Sequence, residues 1–196
     1  MRNWILLFLL FVIAGCATAA LPRGPDTFAL ADHPNAHRVG VVKVIDTREK
    51  EGIGTIGGLG VKAKKDDMVD LTTNYLIHTL NRELSLNVVR IEELGESKPE
   101  DVIARHSVDR LLVVKVYNMR LFSFDALLHP ARMTMDLEVT LYDQAGKVLF
   151  STFVKGEHER WFGLNVSDAN LGRLVDEVTK NAVYNIFYTV KLKDLL

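Results

Sequence analysis

Cysteine is nearly missing from this 196-residue chain: Cys16 is the only one. An internal disulfide is excluded, and so are metal centres that need several thiolates. A surplus of one charge is missing too, since 24 Lys and Arg stand against 25 Asp and Glu for a net charge of −1. There is no basic excess of the kind that holds nucleic acid, and no acidic block of the kind that makes a disordered tail. No apolar run reaches the roughly 20 residues that a membrane-spanning helix needs. The chain has no G-x-S-x-G, no H-E-x-x-H, no G-K-[ST] and no Cys–His pair that could be paired for catalysis. Those gaps exclude the nucleophile elbow, the zinc-protease helix and the phosphate-binding loop. No repeat or low-complexity tract is present. The reading is of a chain without catalytic, cofactor-binding or metal-ligating residues, and not an enzyme.

What is present begins at the N-terminus. Arg2 is followed by ten apolar residues, Trp4 to Ile13, and then by Ala14, Gly15 and Cys16. A basic start, a short apolar stretch and a small-residue site are the three parts of a secretory signal. Ile13-Ala14-Gly15-Cys16 resembles the lipobox of bacterial lipoproteins. That resemblance implies a diacylglyceryl group on the Cys16 thiol, cleavage between Gly15 and Cys16, and acylation of the new amine, commonly with palmitate. Two or three acyl chains hold a protein firmly, because each buried CH2 contributes about 0.8 kcal/mol. Ala17 follows the cysteine, which by resemblance to enterobacterial sorting points to the outer membrane, with the domain facing the periplasm. Inner-membrane and cell-surface placement stay open. Residues 1–15 are thus expected to be a signal peptide and 16–37 a lipidated tether, since Pro22, Pro25 and Pro34 interrupt a stretch of little periodicity. Residues 38–196 are expected to be one globular domain of about 160 residues, ample for a core.

Within that domain the periodicities predict an α+β (α/β) fold in the order β-α-β-α-β-β-β-α. Arg38 to Asp46 reads as a strand, Asp66 to Leu84 as a helix with Leu76, Leu80 and Leu84 on its stripe, and Leu86 to Ile91 as a short strand. Ser97-Lys-Pro-Glu100 has the form of a capping box opening a helix to His106. Arg110 to Leu121 reads as a buried strand. In Arg132 to Tyr142, Met133, Met135, Leu137, Val139 and Leu141 alternate with Arg132, Thr134, Asp136, Glu138 and Thr140, giving one dry and one wet face. Asp143 to Gly146 is a turn, Lys147 to Glu157 a hairpin return, and Ser167 or Asp168 caps a helix striped by Leu171, Leu174, Val175, Val178, Ala182 and Ile186. One mixed, mostly antiparallel sheet with helices mainly on one face follows.

Four groups of residues invite a functional reading. Gly52, Gly54 and Gly57 spell G-x-G-x-x-G, but Asp46 to Glu51 separate them from the apolar run of the strand and no helix opens at Gly57, so a dinucleotide site is not expected. A turn-rich loop or hairpin is. His33 and His37 lie four apart, but Pro34 breaks any helix that could aim both at a metal. Asp136 and Glu138 share a face with Arg132 and Thr134, which makes them an ion-paired surface rather than an acid–base pair. Asp46 and Arg48 read as a structural pair. Two apolar clusters are expected to belong to the core. One is Leu121 to Leu128, with an exposed loop tip that meets a partner or membrane as the alternative. The other is Trp161 to Leu164, closing the core at the entrance of the last helix with Leu164 or Val166 as a staple, with a peptide- or ligand-binding aromatic site as the alternative.

Val41-Val-Lys-Val-Ile-Asp-Thr-Arg48 followed by Ile53-Gly54 resembles the YajG-type bacterial lipoproteins, whose domain starts with a strand ending in Asp-x-Arg and an Ile-Gly step. The resemblance implies the same domain over about residues 38–190, and brings no catalytic residues. The function expected is a non-enzymatic, lipid-anchored cell-envelope protein that binds or assists another envelope protein. The alternative is a lipid- or small-ligand-binding accessory component of an envelope transport system. The membrane, through Cys16, and an envelope protein are the expected partners; nucleic acid is not.

Overall fold

The computed structural model describes residues 17–27, 29–34, 36–56, 59–123, 130–162, 166–188 and 192–196. Its centre is a nine-stranded mixed sheet. The strands are β1 (Ala17–Thr18), β2 (Arg38–Val42), β3 (Ile45–Asp46), β4 (Gly52–Ile56), β5 (Leu59–Lys62), β6 (Asn87–Ile91), β7 (Arg110–Ser123), β8 (Pro130–Tyr142) and β9 (Val148–Trp161). The helices are α1 (Lys65–His78), α2 (Pro99–His106) and α3 (Asp168–Tyr188). A π-turn, Thr79–Glu83, prolongs α1, and a short 3-10 turn, Leu192–Leu195, follows α3.

β7 organises the sheet. One of its edges carries β8, antiparallel over nearly its whole length, and β9 completes the meander. Its other edge takes three short parallel strands in turn: β2 at Arg110–Leu112, β3 at Lys115–Val116 and β4 at Leu121. β6 lies outside β2, while β5 and then β1 lie outside β4. The expected strand from Arg38 to Asp46 is therefore two. The break has a cause: the Val44 N–H, turned off the sheet, donates to Thr73 Oγ1 of α1 at 3.0 Å. A stretch so rich in Val gives no sign of it.

The dry row of β8, from Met133 to Leu141, is fully buried against α3, whose stripe residues are buried in turn. α1 lies on the same face with Met68, Leu71, Leu76 and Ile77 inside, and Leu80 of the π-turn joins them. α2 covers the opposite face at one end, over Val42, Ile91, Leu111 and Val113. Two helices on one face and one on the other match the expected layering.

Besides that split strand, some local expectations hold and others change. The residue capping α2 is Lys98, without a side-chain cap bond. Pro99 sits at the first helical position and forces the residue before it to be extended, so the helix starts too late for Ser97 to serve as the box. The Ser167 hydroxyl does cap α3, accepting from the Asn170 N–H at 3.3 Å. The glycine segment is a β4–β5 hairpin, as the loop-or-hairpin reading allows. Gly54 lies at a bulge there with φ +151°, and a Cβ would come 2.3 Å from the Leu121 carbonyl oxygen. That glycine lets β4 reach β7. Gly57 lies outside the described residues.

A further change concerns residues 17–34, expected as a loose tether. Ala17 and Thr18 pair with Val61 and Lys62. The Ala20 N–H donates to the Asp168 carbonyl at 3.2 Å, where the missing side chain of Gly172 lets the chain pass. Further on, Asn74 donates to the Arg23 carbonyl at 2.8 Å. Asn81 holds Ala31 by both its N–H and its carbonyl, at 2.9 and 2.8 Å. Asn87 does the same to His33, at 2.9 and 2.8 Å. Polar, small-residue sequence gives the segment no stripe of its own; carboxamides on α1, the π-turn and β6 hold its backbone instead.

Candidate interaction face

The outward face of β7, β8 and β9 carries many exposed and half-buried side chains. Alternation along β8 puts Arg132, Thr134, Asp136 and Glu138 on it, and the register adds Lys115, Asn118 and Arg120 from β7 and Phe153, Lys155 and Glu157 from β9. Most of its charge is internally matched. Lys115 and Glu138 are 3.3 Å apart, Asn118 donates to Asp136 at 3.0 Å, and Arg132 donates to Glu157 at 2.7 Å. The hydrogen bond from Arg132 is the main reason the Glu157 carboxyl titrates below its ordinary range, and Arg132 is correspondingly held charged. Glu138 is thus ion-paired with Lys115, as expected, while Asp136 accepts from the neutral Asn118 amide.

Aromatic side chains stand out of this polar floor. Tyr117, at the bulge in β7, is 60% exposed and Phe153 is 63% exposed. Their rings meet edge to face at 5.6 Å. Beside them opens a concavity of about 370 Å³ between Asn118, Arg120, Arg132 and Lys155. At one end of the face are Phe122, 43% exposed, and Trp161, 68% exposed. Of the second apolar cluster, expected to close the core, Phe162 is buried in the main core cluster while Trp161 faces out. Alternation continued past Glu157 would have found this: Trp161 keeps the parity of Phe153.

The other sequence candidates separate. Arg48 is buried with Asp46, Nη2 to Oδ2 at 2.6 Å, and also donates to the Ala63 carbonyl at 3.1 Å. It ties the end of β3 to the link between β5 and α1. His33 meets the Asn81 carbonyl at 2.9 Å, while His37 faces Asp109 at 3.5 Å, so the two do not share a ligand. No cluster of three or more His, Cys, Asp or Glu suited to a metal occurs among the described residues. No helix among them is long and apolar enough to cross a membrane. Gly15, Cys16 and residues 124–129, most of the first apolar cluster, lie outside the described residues, as does Leu164.

No family model matches the chain, and no curated protein sequence matches it. Solved structures do. The chain is similar to a protein named as a neuraminyllactose-binding hemagglutinin homolog from Helicobacter pylori, with TM-score 0.51 and 11% identity over 90% of this chain and 94% of that one. It is also similar to protein XCC0632 from Xanthomonas campestris, with TM-score 0.46 and 13% identity over 92% and 99% of the two chains. Lipoprotein GNA1162 from Neisseria meningitidis matches with TM-score 0.43 and 16% identity over 72% and 94%. At such identities the likeness is one of fold.

Proposed function

We propose that this chain is a non-enzymatic, lipid-anchored protein of the bacterial cell envelope, of the YajG type, and that it binds another envelope protein through the outward face of β7, β8 and β9. The observation that carries the binding role is the Tyr117–Phe153 pair. Two large rings stand in water on the β7–β9 meander, on a face most of whose charge is already matched. Aromatic residues and Arg are enriched in protein interfaces, and rigid ones lose little entropy on binding. The anchor rests on Ile13-Ala14-Gly15-Cys16, with diacylglyceryl and palmitoyl groups on Cys16 after removal of the signal peptide. Ala17 supports an outer-membrane address with the domain in the periplasm. A small ligand held between sheet and helices has less support, because Met135, Leu137, Leu174 and Val178 fill that space.

The binding reading is tested by crosslinking in intact envelopes with the double variant Tyr117→Ser, Phe153→Ser. Both side chains are exposed, so the melting temperature should hold while a specific crosslinked band disappears. An unchanged band would remove this face from consideration. The anchor is tested separately. Cys16→Ser should leave an uncleaved precursor that takes up no labelled fatty acid, and normal processing of that variant would overturn the lipobox reading.

A further inference from the structure

We propose that one end of the sheet is a phospholipid-docking surface, with Phe122 and Trp161 seated at the boundary between headgroups and acyl chains. The inference rests on the anchor reading and adds to it an orientation. Strand register places the anchor. β4 runs parallel to β7 with Gly54 beside Leu121, so the β4–β5 turn and the end of β7 point the same way. β1 runs parallel to β5 with Ala17 beside Val61, and Val61 pairs with Gly54. Ala17 is therefore level with Leu121. Cys16 precedes it by one Cα step, about 3.8 Å. β9 ends at the same end, where Trp161 pairs with Pro130, and Ser123 pairs with Ala131 beside it.

The acyl chains would leave the domain where β4, β7 and β9 finish and β8 begins. Ala17 and Thr18 are paired into the sheet, and Ala19 is buried, so little slack lies between lipid and domain. The end so held against the membrane carries two exposed aromatic residues, with Arg120 exposed two positions from Phe122. Trp is enriched at membrane interfaces because its ring is apolar and its N–H polar, and Arg near the surface attracts anionic headgroups. The six residues joining β7 to β8 lie outside the described residues, and the proposal stands on Phe122 and Trp161.

The sequence supplies a probe. Its tryptophans are Trp4 and Trp161, so the chain cleaved before Cys16 has Trp161 alone. The mature lipidated protein is placed in phosphatidylethanolamine–phosphatidylglycerol vesicles containing a lipid brominated on its acyl chains. Trp161 emission should be quenched and shifted to shorter wavelength. A second variant, Trp161→Phe with Phe153→Trp, moves the fluorophore eight residues along β9, about 26 Å at 3.3 Å per residue. It should stay unquenched by the lipid and open to iodide. A third, Trp161→Phe with Phe122→Trp, should report as Trp161 does. Protein that floats with the vesicles while its Trp161 remains unquenched by lipid overturns the docking and leaves the anchor standing. Protein that carries no acyl chain by mass and does not float overturns the anchor, and the docking with it.

Discussion

Arg48 is a residue whose loss should cost the fold heavily. Its guanidinium is buried, paired with Asp46, and hydrogen-bonded to the Ala63 carbonyl. Truncating one partner of such a pair strands the other charge away from water, at a cost of about 3 to 5 kcal/mol. Arg48→Ala should lower the urea midpoint sharply with an unchanged slope. Arg48→Lys should recover little, because an ammonium cannot reproduce the planar fork. Full stability in either variant would show the pair to be dispensable. Asp109 makes a different case. It accepts from the Arg38 backbone N–H at 2.9 Å and from the Gln144 amide at 2.8 Å, and faces His37. The Arg38 hydrogen bond is the main cause of its lowered pKa, ahead of a smaller opposing effect of burial. A carboxyl whose folded pKa lies below its unfolded value of 3.8 contributes stability above that value and loses it as pH falls through the folded one. Asp109→Asn should therefore destabilise at neutral pH by roughly 1 kcal/mol. The gap from wild type should close in acid below about pH 4. A gap that persists unchanged at pH 2 to 3 would count against the carboxylate as its source.

At the scale of elements, what could be read from sequence depended on whether a segment's partners leave a periodic trace. β8 alternates because one face meets α3 and the other meets water, so its register is written in five apolar and five polar positions. α3 shows its stripe for the same reason. β2 and β3 merged into one expected strand because Val41, Val42, Val44 and Ile45 are apolar throughout, and the break is imposed by Thr73 from another element. The segment from Ala17 to His33 was least legible. Its backbone is held by Asn74, Asn81 and Asn87, at least 50 positions away in each case, and such side chains have no pattern to find. The outward aromatic face was half legible: the wet row of β8 was clear, but Tyr117 sits at a bulge that shifts parity in β7. The segment from Ala17 to His33, which straps across the domain, itself gives a test. A Cβ on Gly172 would fall 1.9 Å from the Ala20 carbonyl oxygen. Gly172→Ala should lift the strap from α3 while the sheet stays folded, a strain costing about 1 to 3 kcal/mol. Trypsin should then cut faster after Arg23, and the Ala19 and Ala20 amides should exchange faster. Unaltered exchange at those two amides would mean the close passage is not what holds the strap.

For the whole molecule, anchor and binding face become one geometry. If the strand ends face the bilayer, the sheet stands on the membrane and the face bearing Tyr117 and Phe153 looks sideways, parallel to its plane. A partner in the envelope would then meet it laterally, at a height set by the strands and not by a wandering linker. Two causes could hold this pose: the short paired strap, or the affinity of Phe122 and Trp161 for lipid. A linker separates them. A Gly/Ser insert of about 20 residues spans roughly 25 Å root-mean-square. Placed between Cys16 and Ala17, and itself beginning Ala-Thr, it leaves the residues after the cysteine as they are. β1 can still pair with β5, so the melting temperature should not change, and the protein should still float with vesicles. Two exposed rings are a small apolar area, at about 25 cal/mol per Å², against the freedom such a linker restores. The strap is therefore the stronger of the two constraints. Trp161 in the linker variant should lose most of its quenching by brominated lipid, and envelope crosslinks through Tyr117 and Phe153 should spread to more products. Quenching retained at the wild-type level would assign the pose to the aromatic end alone.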